Sequence, residues 1–332
     1  MFKTKPQYFY NKNLLSILLL PLSWIYSIFF VIKTYKFFKG KKISNITICV
    51  GNIVVGGSGK TPICIEIGKK LKKHNKICFL TKGYNRKDNG RSVIIPERHK
   101  ELFDIVETGD EAILLSEIAD TFIVKKRNER NLTNYDIAIT DDGYFDNTIH
   151  KDIVIAVFDG NFFIGNGKVL PAGPMRYYLK SLSKADFVII TNATNNDFEM
   201  QKIFLQQYID KNNILLADLS VISKHSKYDM YIAFSGIGEN EKFFRTLQKD
   251  DMLIIDAIGF EDHCEYNEKH LQKIRDVSQK HNIKRLITTS KDYAKLPKSF
   301  CNEFDIEVLE IKYVINGFER IEKKIIEVRN RK

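Results

Sequence analysis

Short apolar runs alternate with longer amphipathic stretches along most of the chain, and this pattern predicts strands separated by helices. A chain of this kind folds as an α/β protein with a mostly parallel sheet. Helices are predicted directly after residue 61, over 108–119 and near 317–330. Strands are predicted within residues 46–50, 76–87, 135–146, 152–159, 186–193, 214–223, 231–238, 251–259, 285–290 and 304–315.

The N-terminal stretch 13–32 is apolar and uncharged, and a helix of this length covers the roughly 30 Å hydrocarbon core of a bilayer. Lysines flank it on both sides, with more on the C-terminal side, which would keep the following chain in the cytoplasm. Pro21 leaves open whether the segment spans the bilayer or lies in its surface, with Trp24 and Tyr26 near the headgroups. A buried core helix is the alternative. We expect association with a membrane.

The sequence GGSGKT stands between a predicted strand and a predicted helix. Glycines in such a turn let backbone N–H groups point at an anion, and the helix dipole adds partial positive charge. The lysine would reach the terminal phosphates of a nucleotide, and the threonine hydroxyl would bind Mg²⁺. Val54 stands where the usual P-loop spacing has glycine, so the loop is a variant, and a plain glycine turn in another α/β fold is the alternative. The predicted phosphate-binding residues are Gly56, Gly57, Ser58, Gly59, Lys60 and Thr61.

Acidic residues stand at two places where a nucleotide site would need them. Asp141 and Asp142 end the strand predicted within 135–146. Carboxylates at a strand end beside a P-loop are expected to bind Mg²⁺ directly or through water. Thr108 and Glu111 form a capping-box pattern, which would place Asp110 in the first turn of its helix.

The length of 332 residues is enough for about two domains. The runs at 214–223 and 304–315 enclose a smaller α/β block, so we expect a domain inserted between them and a two-stranded connector formed by the runs. The predicted fold is a P-loop NTPase-like domain with this inserted domain. The predicted boundaries are 1–40 for an N-terminal membrane-associated helix, 41–225 for the P-loop kinase domain, 226–305 for the smaller α/β domain, and 306–332 for the connector strand and C-terminal helix.

A formal net charge of +11 suits an acidic partner such as nucleic acid, anionic lipid or a phosphorylated substrate. No zinc knuckle, RNA-binding signature or helix-turn-helix pattern stands out, so nucleic acid is the weaker interpretation. The five cysteines form no C-x-x-C pair, and their odd number indicates reduced thiols and a cytoplasmic location for the bulk of the chain.

Several stretches together resemble the tetraacyldisaccharide 4′-kinases, the lipid A 4′-kinases of Gram-negative envelopes. The resemblance spans residues 14 to about 297, and the odd glycine spacing is itself the family's form. The stretches are VGNIVVGGSGKTP (50–62), KGYNRK (82–87), GDE (109–111), DDG (141–143), GNGKVLPAGPMR (165–176), FSGIGENEKFF (234–244), FEDHCEY (260–266) and TTSKDYAKLP (288–297).

This resemblance implies transfer of the ATP γ-phosphate, with Mg²⁺, to the 4′-hydroxyl of a tetraacylated glucosamine disaccharide 1-phosphate. It implies Asp110 as the catalytic base, His263 of the smaller domain as its partner across a cleft, and Lys60 as the phosphate-binding lysine. Asn166 and Arg176 are implied contacts to the substrate, with a surface salt bridge as the alternative role of Arg176. The expected location is the cytoplasmic face of the inner membrane. The expected partners are the lipid substrate and the membrane surface, without nucleic acid or an obligate protein partner.

The chain departs from the family at positions close to these residues. Phe145 and Asp146 stand where the family usually has Gln-His, and Tyr177 stands where it usually has Glu. The resemblance therefore gives no detailed substrate contacts at these positions.

The alternative function is a membrane-tethered P-loop ATPase that acts as an assembly or partner-switching protein. The variant loop, the Asp pair and the N-terminal anchor would suit such a protein. It leaves the LPAGPMR, GDE and FEDHCEY stretches unexplained.

Overall fold

The computed structural model describes residues 6–11, 13–35, 40–83, 92–97, 108–222, 228–238, 240–262 and 264–331. These residues contain a nine-stranded sheet and a four-stranded sheet. The strands of the larger sheet are β1 (Ile46–Gly51), β2 (Ile77–Thr81), β3 (Val93–Ile95), β4 (Thr121–Ile123), β5 (Ile137–Thr140), β6 (Ile153–Asp159), β7 (Phe187–Thr191), β8 (Ile214–Val221) and β13 (Ile311–Ile315). The strands of the smaller sheet are β9 (Met230–Ser235), β10 (Leu253–Gly259), β11 (Arg285–Thr289) and β12 (Asp305–Leu309).

The α-helices lie between and around these strands. They are α1 (Leu14–Leu18), α2 (Leu20–Tyr35), α3 (Lys60–Leu71), α4 (Asp110–Ser116), α5 (Asn195–Leu205), α6 (Asn240–Lys249), α7 (Glu268–His281), α8 (Ser290–Tyr293), α9 (Lys298–Cys301) and α10 (Glu319–Asn330).

The larger sheet has the strand order β13-β8-β7-β6-β1-β5-β2-β4-β3. The neighbouring pairs from β8 across to β4 are parallel, and β3 pairs antiparallel with β4. The mostly parallel α/β fold predicted from the sequence is therefore confirmed. Because β1 and β5 are parallel neighbours, their carboxyl ends meet at one edge of the sheet, where open α/β sheets bind ligands.

Alternate residues of the central strands pack into two cores, one on each face of the larger sheet. On β7, Phe187 and Ile189 join the core beneath α3 and α10, whereas Val188 and Ile190 face the core that contains Phe198 of α5. Successive side chains of a strand point to opposite faces of the sheet. Because helices cover both faces of this sheet, the side chains on both faces are apolar, and the strands appear in the sequence as continuous apolar runs.

The chain divides into two compact units. One comprises Ser220–Lys312 and the other comprises Pro6–Leu219 with Tyr313–Lys332. Within the first unit, β9, β10, β11 and β12 form parallel pairs, and their core contains apolar residues of β9 and α7. The run 304–315 divides at Glu310 into β12 of the smaller sheet and β13 of the larger sheet, and β13 lies beside β8, which is the pairing expected for the connector.

The N-terminal apolar segment forms two helices, so the prediction of one helix over 13–32 is wrong. Helix α1 ends at Leu18 and α2 begins at Leu20. Pro21 explains the break, because proline has no N–H to donate and is tolerated only in the first turn of a helix. Among the residues that the structure describes, no helix has the length and apolar character needed to cross a membrane.

The first residue of helix α4 also differs from the sequence prediction. Gly109, with φ of 85°, is the N-cap residue, and the helix begins at Asp110. Thr108 is therefore one residue too early to be the N-cap of a capping box. The placement of Asp110 in the first turn is confirmed.

A close backbone approach joins the ends of β1 and β5. The N–H of Gly143 donates to the carbonyl oxygen of Val50 at 3.1 Å. A Cβ added to Gly51 would lie 2.6 Å from Cβ of Tyr144 and 2.7 Å from its backbone nitrogen. Only glycine at position 51 lets the turn after β5 lie this close to β1.

We expect Gly51→Ala to lower the free energy of unfolding by about 1–3 kcal/mol, because the new methyl group overlaps backbone atoms that cannot rotate away. Urea denaturation would measure the change. Gly57→Ala is the control, since a Cβ there meets nothing within 4 Å, and its effect should stay within about 0.5 kcal/mol. Equal stability of the two variants would contradict the close approach.

Candidate active site

The loop between β1 and α3 has the backbone conformation that its glycines were expected to supply. Gly56 and Gly59 have φ of 103° and 76°, and Gly59 is the N-cap residue of α3. Asn52 is buried and donates from Nδ2 to Oγ of Ser58 at 3.0 Å, which ties the two ends of the loop together. Lys60 and Thr61 therefore stand at the first two positions of a helix whose N-terminal amides face the carboxyl end of the sheet.

The stretch 165–176 lies beside this loop through backbone contacts. The N–H of Val55 donates to the carbonyl oxygen of Pro174 at 2.8 Å. The N–H of Arg176 donates to the carbonyl oxygen of Ile53 at 2.7 Å. These two bonds place the side chain of Arg176 at the edge of the glycine loop, more than one hundred residues away in sequence.

Thr61 and Asp141 meet at the centre of the site. The Thr61 hydroxyl donates to Oδ2 of Asp141 at 2.8 Å, and both residues are buried. Within the described residues, Oδ1 of Asp141 has no hydrogen-bond partner. Burial raises the pKa of the Asp141 carboxyl, although the Thr61 hydrogen bond and the Lys60 charge oppose the rise. The site thus contains a buried carboxylate with unused acceptor capacity.

Arg127 is a buried residue that the sequence analysis did not single out. Its guanidinium donates to the backbone carbonyl oxygen of Asp141 and lies 3.5 Å from that of Asp142. It also pairs with the carboxylate of Asp146 at 3.0 Å. Burial alone would raise the pKa of Asp146, but hydrogen bonds from Thr148 and the Arg127 charge outweigh it and hold that pKa below its usual value. Arg127 therefore fixes the backbone of the turn after β5.

Asp142 makes a different contact from Asp141. Its backbone is left-handed, with φ of 50°. Nη1 of Arg176 lies 3.0 Å from Oδ1 and 3.2 Å from Oδ2 of Asp142. The two aspartates predicted as metal ligands thus point to different partners, and Asp141 is the one beside Thr61.

Asn166 is buried and ties together segments that are far apart in sequence. Its Nδ2 donates to the carbonyl oxygens of Tyr8 at 2.8 Å and Ala172 at 2.9 Å. Its Oδ1 accepts from the N–H of Lys168 at 3.0 Å. These bonds use both amide hydrogens of Asn166, and they order the 165–176 stretch against the N-terminal segment.

Two predicted catalytic residues lie partly or wholly outside the described part of the chain. The backbone of Asp110 opens α4, but its side chain is outside that part. His263 lies outside the described residues altogether. Their catalytic roles stay predictions.

The oxygen atoms around Thr61 suit a hard cation that is brought in by a nucleotide. No group of three or more His, Cys, Asp or Glu with the geometry for a metal occurs among the described residues. Mg²⁺ is typically held by one or two protein oxygens together with phosphates and water, so a hydroxyl and one carboxylate are a sufficient protein contribution. The residues present therefore fit Mg²⁺ bound with a nucleotide.

Comparisons with known proteins identify the family of this chain. The family model for tetraacyldisaccharide-1-P 4′-kinase, LpxK, matches residues 15–329. The tetraacyldisaccharide 4′-kinase of Rickettsia canadensis (strain McKiel) is 33% identical over 326 residues, covering 96% of each chain. That of Rickettsia bellii (strain OSU 85-389) is 33% identical over 333 residues, covering 96% of this chain and 98% of the relative.

A solved structure is also similar to this chain. It is the "apo" form of LpxK from Aquifex aeolicus in complex with ATP, with a TM-score of 0.73 and 24% sequence identity. The match covers 95% of this chain and 99% of that one, and it shows a shared fold. Because the family model and the Rickettsia relatives cover nearly the whole chain, this chain belongs to the tetraacyldisaccharide-1-P 4′-kinase family.

Proposed function

We propose that the protein phosphorylates the 4′-hydroxyl of a tetraacylated glucosamine disaccharide 1-phosphate with ATP. The bond between the γ-phosphorus and its bridging oxygen breaks, a bond from phosphorus to the 4′-oxygen forms, and a base takes the hydroxyl proton. Family membership supports the substrate and the reaction. The single observation on the molecule that carries the proposal is the 2.8 Å contact of Thr61 with Asp141 at the end of the glycine loop.

The glycine loop supplies the groups that bind phosphate. Backbone N–H groups from Gly56 to Thr61 and the positive end of the α3 dipole attract the phosphate oxygens. Lys60 adds a full positive charge where negative charge accumulates during transfer. These groups hold the nucleotide and stabilise the transition state.

Thr61 and Asp141 are the residues that would hold Mg²⁺. Bound there with the nucleotide, Mg²⁺ would neutralise charge on the phosphate oxygens. The unused Oδ1 of Asp141 favours it over Asp142, whose carboxylate pairs with Arg176. Arg176 then stands at the loop edge as the proposed contact to phosphate or sugar, while Asn166 acts through the order it gives to its loop.

Asp110 is the proposed base, and His263 is the proposed partner that raises its effectiveness. The support is the family resemblance of the GDE and FEDHCEY stretches. An aspartate at a helix start also interacts well with the helix dipole, which would hold it near the positive end of α4.

We further propose that α1 and α2 attach the protein to a membrane surface. Their buried side includes Ser23, whose hydroxyl donates to the carbonyl oxygen of Val169 at 2.9 Å. The opposite side exposes large apolar side chains, which is the reverse of an ordinary surface helix. The exposed side chains are those of Leu14, Leu15, Ile17, Leu18, Leu22, Trp24, Ile25, Ile28, Phe29, Val31 and Ile32.

An apolar helix face of this size is suited to lie in the interfacial region of a bilayer. The acyl chains of the substrate would stay in the same bilayer, so attachment brings the site to its acceptor. The formal net charge of +11 adds attraction to anionic headgroups, at about 1 kcal/mol per nearby lysine or arginine.

The alternative of a partner-switching ATPase is not favoured. The family model covers the 165–176 stretch and the second half of the chain, which that alternative leaves unexplained.

The reaction itself can be tested with purified protein, ATP, Mg²⁺ and tetraacyldisaccharide 1-phosphate, with product identified by mass. We expect a bis-phosphorylated lipid. Lys60→Ala should lower kcat about a hundredfold, as for other lost transition-state contacts. Lys69→Ala, an exposed lysine later in the same helix, is the matched control and should turn over normally. Absence of product from the folded wild-type protein would refute the proposed function.

Asp141→Asn should separate stability from activity. At neutral pH the raised pKa of Asp141 means that burial of its charge opposes folding, and the amide removes that charge. We therefore expect a higher thermal midpoint for the nucleotide-free protein, together with a loss of about a hundredfold in kcat. Calorimetry and the product assay would measure the two effects. A lower midpoint with normal turnover would contradict the assignment.

The proposed membrane surface predicts that Ile28→Glu with Phe29→Glu releases the protein from phosphatidylglycerol vesicles in a sedimentation assay. These side chains are 61% and 68% exposed, so the fold should be unaffected. Met200→Glu with Ile203→Glu is the matched control on α5, with exposures of 64% and 63%. Equal vesicle binding by both double variants would show that another surface attaches the protein.

A further inference from the structure

The proposed phosphate and Mg²⁺ contacts fix only one end of ATP. Thr61 and Asp141 would hold the terminal phosphates between β1 and β5, because Asp141 directly follows β5. In the larger sheet β5 lies on one side of β1, whereas β6 and then β7 lie on the other side. A nucleotide whose terminal phosphate faces Asp141 therefore extends its base toward the carboxyl ends of β6 and β7, where an open parallel sheet binds ligands.

The carboxyl end of β7 contacts the glycine loop directly. Oγ1 of Thr191, the last residue of β7, lies 3.4 Å from the carbonyl oxygen of Ser58 and 3.2 Å from that of Phe158 in β6. A Cβ added to Gly59 would lie 3.4 Å from Cγ2 of Thr191 and 3.5 Å from the hydroxyl oxygen of Tyr313. The end of β7 thus lies against the loop that would hold the phosphates.

Asn192 directly follows β7 and has a left-handed backbone, with φ of 58°. Its Oδ1 accepts from the hydroxyl of Tyr313 at 3.0 Å, and its Nδ2 donates to Oγ1 of Thr191 at 3.0 Å. The hydroxyl proton of Thr191 is directed at backbone carbonyl oxygens, so its oxygen accepts from Asn192. These contacts therefore fix which end of the amide is the donor.

The amide of Asn192 keeps hydrogen-bonding capacity for a ligand. A side-chain amide has two N–H hydrogens and an oxygen with two lone pairs. Within the described part of the chain, Asn192 uses one hydrogen and one lone pair, so one donor and one acceptor remain side by side. The residue is half-buried and can still be reached by a ligand. The end of β7 therefore presents a donor and an acceptor in a fixed order.

Adenine is the base whose edge matches this order. It presents the hydrogens of its 6-amino group beside an acceptor ring nitrogen, whereas guanine presents an oxygen acceptor at position 6. Asparagine pairs with adenine through both groups, but its fixed Oδ1 would meet the guanine oxygen as acceptor against acceptor.

We propose that Asn192 binds the base of ATP and selects adenine over guanine. Tyr313 and Thr191 are positioning residues, because they orient the amide of Asn192 and do not themselves contact the base. The proposal rests on the proposed function, since it requires the phosphates of ATP to lie in the glycine loop.

Nucleotide binding in the absence of lipid tests this assignment. Calorimetric titration of the protein with non-hydrolysable ATP and GTP analogues in the presence of Mg²⁺ gives both dissociation constants. We expect the wild-type protein to bind the ATP analogue at least about tenfold more tightly, which is the size of one good bidentate pair. Asn192→Gly keeps the left-handed backbone without strain and should lose most of this preference through weaker binding of the ATP analogue.

Asn282→Gly is the matched control, since Asn282 also has a left-handed backbone, with φ of 53°, and is exposed at the end of α7. It should keep the wild-type preference. Tyr313→Phe is the second test variant, because it retains the ring in the core and removes the hydroxyl that orients the amide. It should reduce the preference at least about threefold, with a smaller loss of ATP-analogue affinity than Asn192→Gly.

The outcomes separate this proposal from the proposed function. Equal affinity of the wild-type protein for the two analogues, or the same preference in Asn192→Gly and Asn282→Gly, would refute the assignment of Asn192 alone. An equal loss of affinity for both analogues in Asn192→Gly would show that Asn192 only orders the loop, and would also overturn the proposal. If Asn192→Gly does not fold, an unchanged preference in Tyr313→Phe refutes it. Failure of the wild-type protein to bind either analogue would refute the proposed function and this proposal together.

Discussion

The buried guanidinium of Arg127 is the constraint on which the rest of the site depends. It binds the backbone carbonyls of Asp141 and Asp142 and the carboxylate of Asp146, so one side chain fixes the entire turn after β5. A buried charge is tolerated when it is paired, and removing a single partner typically costs about 3–5 kcal/mol. Both terminal nitrogens of Arg127 have acceptors, whereas its Nε has none among the described residues. The salt bridge between Arg127 and Asp146 therefore helps to hold the turn in the conformation in which Asp141 contacts Thr61.

The N-terminal helices α1 and α2 bury small polar residues and expose large apolar ones, which reverses the usual distribution. Ser16, Ser23 and Ser27 are buried, and each hydroxyl forms a hydrogen bond to a backbone carbonyl. Ser16 and Ser27 bond carbonyls of their own helical segment, whereas the Ser23 hydroxyl donates to the carbonyl oxygen of Val169 and accepts from the N–H of Ala172 in the irregular 165–176 stretch. The larger apolar side chains then remain on the outside. The same packing that orders the 165–176 stretch thus leaves an apolar surface on α1 and α2.

Periodicity and spacing predicted the parts of the fold that local sequence controls. Hydrophobic period and turn chemistry were sufficient to predict the strand–glycine–helix arrangement around Lys60 and the buried strands of the larger sheet. The division of 304–315 could not be predicted, because both strands contain β-branched residues and nothing local shows that they join different sheets. The role of Arg127 could not be predicted either, because it stands in a run of charged residues and nothing in the local sequence shows which of them becomes buried.

Three positions where this chain departs from the family pattern, Phe145, Asp146 and Tyr177, lie close together in the structure. Asp146 supplies the carboxylate that Arg127 requires, which a neutral histidine at that position would not. Phe145 and Tyr177 both contact Phe30, so they join the turn and the 165–176 stretch to helix α2. A glutamine and a glutamate at these two positions would be polar where the present rings pack. The three residues are therefore physically consistent with one another, because Phe145 and Tyr177 pack on one aromatic neighbour while Asp146 keeps the turn that holds Asp141 in place.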